Sequence, residues 1–251
     1  MRRILVTGAT GRLGAATVRR LTDGGFEVRA VSRRPREGAV EWVVADLTTG
    51  EGVAAAVEGV EAVVHLAAAP YKGRYTDRVE LDGTRALAGA AAKAGVRHLL
   101  YVSIVGVEAV PWGYFMTKLK GERIVAEGGV PYSIVRATQF HEFVDGVFAR
   151  LPLLLVDAGI SAQPVDVREV AARLVDRVGQ GPSGGIEEFG GPEVLTMTEL
   201  AERWRAARGV RRPIVRVRVP GRLGRAFRAG HATTRALPSG TIGWGDYLEG
   251  H

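Results

Sequence analysis

Apolar runs and amphipathic stretches alternate along the first 140 residues. The apolar runs fall at 3–7, 26–31, 41–45, 61–66, 97–103 and 131–136, rich in Val, Ile and Leu and mostly without polar alternation. Strands buried on both faces have this pattern. The stretches 12–23, 50–58, 77–94 and 114–128 are rich in Ala, Leu, Glu and Arg and read as helices; in the first, Leu13, Val18 and Leu21 recur at helical spacing. Buried strands separated by helices predict an α/β fold with a doubly wound parallel sheet, whose ligands sit at the carboxyl ends of the strands. Beyond residue 140 the rhythm changes. Segments 165–179 and 196–208 read as helices, 214–219 alternates as a half-exposed strand, and glycine and proline punctuate the rest. The expected division is a large domain over 1–140 and a small C-terminal lobe over 141–251, packed on the same unit.

The turn after the first strand carries candidate chemistry. Thr7-Gly8-Ala9-Thr10-Gly11-Arg12-Leu13-Gly14 joins an apolar β-branched run to an amphipathic helix. Glycine permits a tight turn and close approach to a pyrophosphate, and a helix N-terminus offers free N–H groups and partial positive charge. A Rossmann domain with Gly8, Thr10, Gly11, Arg12, Leu13 and Gly14 at the cofactor follows as the expectation. A site preferring the unphosphorylated cofactor places Asp or Glu at the tip of the second strand. Here that tip reads Ser32-Arg33-Arg34, and paired guanidinium N–H groups suit a 2′-phosphate. The expected cofactor is therefore NADP, with NADPH preferred over NADH. Asp46 and Leu47, after the third strand, are placed to meet the adenine, though Asp46 reads equally as a loop cap.

A second group lies downstream. Ser103 closes the fifth strand, and Tyr114 and Lys118 follow, four residues apart and so on one helix face. A carbonyl that gains a hydride develops negative charge on oxygen and needs a proton donor. A phenol, with an ordinary pKa of about 10, is a sluggish donor at neutral pH unless an ammonium lies close. Tyr114 is the expected proton donor, Lys118 its electrostatic partner and a ligand of the cofactor ribose, and Ser103 the group that holds the substrate oxygen. His65, among Val63, Val64 and Leu66, reads as a packed structural histidine. Tyr71, Gln139 and His141, in loops after the fourth and sixth strands, are the candidates for touching substrate.

These segments, with Val64-His65-Leu66-Ala67-Ala68 and Leu81-Asp82-Gly83-Thr84, resemble the extended and atypical short-chain dehydrogenases/reductases, and best the NAD(P)-binding epimerase-like or nitrogen-metabolite-regulator-like group. The resemblance covers most of residues 1–140. It implies that Gly8, Gly11, Arg12, Leu13 and Gly14 hold the pyrophosphate, Ser32, Arg33 and Arg34 the adenosine end, Asp46 and Leu47 the adenine, and Ala67 and Ala68 the nicotinamide side. Two positions depart from the family pattern: Glu80 stands where many relatives have Asn, and Arg136-Ala137 where Arg-Pro often follows the sixth strand.

Composition narrows the setting. No cysteine is present, which excludes disulfides and Cys-based metal sites and fits a reducing compartment. The glycine motif begins at residue 8, so no removable leader is expected; the apolar run Leu151–Val156 is too short to span a bilayer, and a cytoplasmic protein without a membrane partner is expected. The net charge of +7 is concentrated at the C-terminus, where residues 201–251 hold 11 Arg against Glu202, Asp246 and Glu249. Arg-rich composition throughout and the lack of aromatic interleaving argue against nucleic acid as a partner. The expected protein is an NADP(H)-dependent oxidoreductase, a monomer or homodimer acting on the carbonyl or alcohol of a small organic molecule. The alternatives are an epimerase or dehydratase that uses bound NAD(P) transiently, and a non-catalytic redox sensor.

Overall fold

The computed structural model describes residues 2–69, 73–150 and 152–250. The chain forms two compact units that interleave along the sequence. One takes Met1–Ser103, Met116–Val135 and Ala171–Glu187; the other takes Ile104–Phe115, Arg136–Val170 and Glu188–His251. Both units therefore draw on chain from either side of residue 140.

The first unit is built on β1 (Arg3–Thr7), β2 (Glu27–Ser32), β3 (Glu41–Val44), β4 (Ala62–His65) and β5 (His98–Ile104), which are extended by β6 (Tyr132–Ala137) and β9 (Ile186–Phe189). The seven-stranded order is β3-β2-β1-β4-β5-β6-β9. The pairs β2–β3, β1–β2, β1–β4 and β4–β5 are all parallel, with Leu5 opposite both Arg29 and Val63. The order reverses at β1, so a crevice is expected between the carboxyl ends of β1 and β4. Leu5, Val31, Val63, Leu99 and Tyr101 meet Val57, Leu87 and Val125 in one buried cluster. The expected strands are present within a residue or so at each end. α1 (Arg12–Asp23) has the expected bounds, and α2 (Val53–Val57) is shorter than its pattern.

Two further elements of the first unit differ from expectation. The helix expected over 77–94 starts earlier, as α3 (Arg74–Asp77), and passes through a π-helical turn, Arg78–Asp82, into α4 (Gly83–Lys93). Such a turn inserts one residue and shifts the helical phase, which a 3.6-residue pattern does not reveal. β9 has no counterpart among the expected strands and lies in chain that glycine and proline punctuate. Arg173 and Arg177, on α7 (Val167–Gln180), both pair with Glu187 and make an acidic strand possible.

The second unit has its own core, in which Phe148, Leu154, Leu200, Trp204, Trp244 and Leu248 cluster. Its elements include α6 (His141–Arg150), β7 (Leu154–Val156), β8 (Ser161–Ala162), β10 (Leu195–Thr196), α8 (Met197–Ala207), β11 (Ile214–Arg216), α9 (Gly221–Arg228) and α10 (Trp244–Glu249). α8 starts at a reciprocal cap, the Glu199 N–H donating to Thr196 Oγ1 and the Thr196 N–H to the Glu199 carboxylate. β11 pairs in parallel with β7, which sets exposed Val215 beside exposed Leu155. Among the described residues no helix is long and apolar enough to cross a membrane.

Burial raises the pKa of Glu187, but hydrogen bonds from Arg177 and Arg173 outweigh it and hold the carboxyl below its usual 4.5. A depressed carboxylate stabilises the fold above its unfolded pKa, and that stability is lost as pH falls through the folded value. Glu187→Gln is expected to lower stability at pH 7 by about 1–3 kcal/mol and to lose less stability than the parent between pH 5 and pH 3, by urea denaturation. Parallel curves would rule out this role.

Candidate active site

The carboxyl edge of the first unit's sheet gathers most of the expected residues. Gly8 follows β1 with φ of +65°, and a Cβ there would lie 2.6 Å from the Leu66 backbone just past β4. Gly14 faces back on the same turn, where a Cβ would come within 2.1 Å of the Gly8 carbonyl oxygen. The Gly11 N–H donates to that carbonyl at 3.0 Å. Gly11 also caps α1 without a side chain, and the first turn carries no acid, so the positive end of the helix is left open. Thr10, Gly11 and Arg12 are exposed there, with Leu13 half-buried behind them. A backbone cradle without side chains, at a helix N-terminus, fits a pyrophosphate.

Ser32, Arg33 and Arg34 end β2 one strand away. Both arginines are exposed; Ser32 Oγ accepts from the Arg34 N–H at 3.3 Å, and Arg33 donates to the Tyr75 hydroxyl at 3.1 Å. Asp46 follows β3 and closes a turn: its Oδ1 accepts from both the N–H and the hydroxyl of Thr48, each at 2.7 Å. The Thr48 hydroxyl is the largest cause of a lowered Asp46 pKa, and the Arg33 charge adds to it. The geometry thus gives Asp46 the capping role, while Leu47 is buried. Ala67 and the exposed Ala68 follow β4, and the Ala67 N–H is held by Thr7 Oγ1 at 3.2 Å.

His65 is locked in a polar chain. The Thr84 hydroxyl donates to the Glu80 carbonyl at 2.6 Å, so toward His65 Nε2, at 3.0 Å, it accepts. Thr7 accepts from the Leu66 and Ala67 N–H groups and donates to His65 Nδ1 at 2.7 Å. Burial, then the Lys118 charge, pushes the His65 pKa down to about 3, which leaves a neutral ring held at both nitrogens. The structural reading of this histidine is the one observed.

Ser103 stands at the end of β5, 2% exposed, and its hydroxyl has no hydrogen-bond partner among the described residues. A buried hydroxyl without a partner is costly and calls for an explanation. Lys118, on α5 (Gly113–Glu127), donates to the carbonyl of the preceding residue, Val102, at 3.2 Å. Its Nζ also lies 2.9 Å from Glu80 Oε2 and 3.3 Å from the Tyr101 hydroxyl. Tyr114 is half-buried in the first turn of α5, four residues before Lys118, and is counted with the second unit.

The remaining candidates are placed differently. His141 is fully buried at the start of α6, stacked on Trp244 and Tyr247 at centroid distances of 5.7 and 5.0 Å. Burial holds its pKa below the usual value, and it is a core residue with no exposed edge. Gln139 ties backbone to backbone, donating to the Ala232 carbonyl at 3.0 Å and accepting from the Gln163 N–H at 3.2 Å. Tyr71 lies outside the described residues. Glu80 and Tyr101, which hold Lys118, were not among the expected site residues. The available signal was spacing: Thr76, Glu80 and Thr84 recur every four residues on a buried stripe, where an acid requires a cationic partner.

Comparison with known proteins agrees with the cradle. Residues 8–176 match the model of the NAD(P)H-binding family. The chain belongs to the NAD(P)H-binding family. Within reach of this family, it is 34% identical over 210 residues to a (4-alkanoyl-5-oxo-2,5-dihydrofuran-3-yl)methyl phosphate reductase of Streptomyces griseus, covering 78% of this chain and 70% of that one. Two solved structures share the fold. A short-chain dehydrogenase/reductase superfamily protein from Agrobacterium tumefaciens with bound NAD superposes with a TM-score of 0.75 at 23% identity, over 99% of this chain and 95% of that one. An NADPH-dependent quinone oxidoreductase from Escherichia coli, complexed with NADPH, gives 0.80 at 17% identity, over 98% and 99%. This member of the NAD(P)H-binding family thus has the fold that its resemblance to the short-chain dehydrogenases/reductases implies, and reductases among its relatives.

Gly14→Ala puts a methyl against backbone, which only a shift of α1 relieves. It is expected to destabilise the protein by about 1–3 kcal/mol and to weaken NADPH binding at least tenfold, in a thermal-shift and fluorescence-titration pair. An unchanged affinity would mean that the turn is not the cradle.

Proposed function

We propose that this protein is an NADP(H)-dependent oxidoreductase acting on the carbonyl or alcohol of a small organic molecule. The observation that carries the reading is the buried, unpartnered Ser103 hydroxyl at the carboxyl end of β5, one residue from the carbonyl that anchors Lys118. The likeness to the Streptomyces reductase supports the reaction class. The cofactor, when bound, supplies the hydride. Gly8, Thr10, Gly11, Arg12, Leu13 and Gly14 would hold its pyrophosphate, Ser32, Arg33 and Arg34 its adenosine phosphate, Asp46 and Leu47 the adenine side, and Ala67, Ala68 and Lys118 the nicotinamide side.

The rest of the reaction falls to this chain's own side chains. Ser103 Oγ–H donates to the substrate oxygen and orients the carbonyl. Tyr114 gives its phenolic proton to that oxygen as negative charge develops, and takes a proton back in the reverse direction. A phenolate one helical turn from the Lys118 ammonium is favoured over an isolated one, so the proton moves at a pH closer to neutral.

The phosphate preference follows from two exposed guanidinium groups at a strand tip without a carboxylate. NADPH is expected to bind more tightly than NADH, and Arg33→Ala/Arg34→Ala to remove most of the difference. A lost guanidinium–phosphate contact is worth about 1.5–3 kcal/mol, or roughly ten- to a hundredfold in affinity. Equal affinities in the unaltered protein by fluorescence titration would sink the preference.

Tyr114→Phe is expected to leave NADPH affinity nearly unchanged and to lower turnover by roughly 10²–10⁴-fold, the range for losing a positioned acid–base group. NADPH oxidation against a panel of quinones, aldehydes and cyclic ketones is the assay. Full activity in the variant, on any substrate that the parent reduces, would make the tyrosine structural.

A further inference from the structure

Glu80 is fully buried within the π-helical turn, and a carboxylate withdrawn from water must be balanced. Its Oε2 lies 2.9 Å from Lys118 Nζ and accepts from the Tyr101 hydroxyl at 3.4 Å; its Oε1 accepts from the Ala69 N–H at 3.3 Å. Lys118 donates to the Tyr101 hydroxyl, and its Nζ stands 4.7 Å from the centre of that ring. The ring is held in turn by Gly121 on α5, where a Cβ would meet the Tyr101 hydroxyl at 2.4 Å. The π-helical turn, β5 and α5 thus converge on one buried ammonium.

We propose that Glu80 is a positioning residue for Lys118, fixing the ammonium at the end of β5 and keeping it charged where burial alone would favour the neutral amine. The link to the reaction rests on the reading of Lys118 given above; the pairing itself does not. Burial disfavours a charged lysine, and an opposite charge in contact restores it. Among the described residues, the titratable groups facing Lys118 include Glu80 from the π-helical turn, at 2.9 Å, Tyr101 from β5 and His65 from β4, with Tyr114 on its own helix. His65 is neutral, since both ring nitrogens are committed to threonine hydroxyls. Glu80, in direct contact at 2.9 Å and fully buried, is the counter-charge in this proposal. A π-helical turn is the local device that carries it: one inserted residue brings an acid onto the buried stripe without ending the helix.

The test uses the full chain, which has only four lysines: Lys72, Lys93, Lys118 and Lys120. Lysine labelled with ¹³C at Cε gives few NMR signals, and Lys118→Arg assigns the one of interest. In the unaltered protein Lys118 is expected to titrate at or above the pH at which the exposed Lys93 and Lys120 do. A lower midpoint in this protein overturns the proposal before any Glu80 variant is made. In Glu80→Gln the Lys118 midpoint is expected to fall by about one to three pH units, the range for a buried amine without its counter-charge, and Glu80→Asp is expected to restore most of it. An unchanged midpoint in folded Glu80→Gln also overturns the proposal. The rate profile separates this inference from the reading beneath it. On a substrate for which Tyr114→Phe is at least a hundredfold slower, the alkaline limb of Glu80→Gln is expected to move down with the lysine. A displaced lysine with an unmoved limb supports the pairing and rejects Lys118 as part of the reaction centre.

Discussion

Two missing β-carbons govern the geometry of the candidate site. Gly8 takes a left-handed conformation against the backbone that leaves β4, and Gly14 packs against the carbonyl of Gly8. Three stretches of main chain therefore touch without side chains between them, and α1 begins where β1 and β4 end. Any larger residue would push the helix outward and separate its positive end from the sheet edge. The other strand tips inherit their places from this convergence, because the parallel register runs outward from β1 to β2 and β3 and from β4 to β5.

The polar interior next to that turn follows one rule with one exception. Thr7, His65 and Thr84 satisfy one another and the surrounding backbone, so the histidine is kept neutral and rigid. Glu80, Tyr101 and Lys118 do the same with charge. Ser103, whose hydroxyl has no partner among the described residues, is the exception, at the strand end where ligands bind in such folds. A buried hydroxyl without a partner among the described residues is in keeping with the proposed role of Ser103 toward the substrate oxygen.

Much of this was legible in neighbouring residues. The bounds of β1 and α1 follow from an apolar run, a glycine turn and a 3.6-residue period, all set by chain that lies close in sequence. The helix expected over 196–208 was equally local, and α8 starts there on a capping box of Thr196 and Glu199 that the expectation did not name. The less legible elements depend on distant partners. β9 is acidic and forms because two arginines of α7 neutralise Glu187. His141, expected at the substrate, is stacked on Trp244 and Tyr247 about a hundred residues further on.

By itself the sequence determined where the backbone turns, which runs are buried, and that a helix N-terminus without acid or capping side chain follows the first strand. Those features depend on steric limits at single residues and on periodicity, both properties of adjacent chain. Only the tertiary structure decided that Glu80 faces Lys118, that His65 is neutral, and that the Ser103 hydroxyl has no partner among the described residues. A buried charge or hydroxyl takes its character from whatever is within a few ångströms of it, and those neighbours stand tens of residues away along the chain.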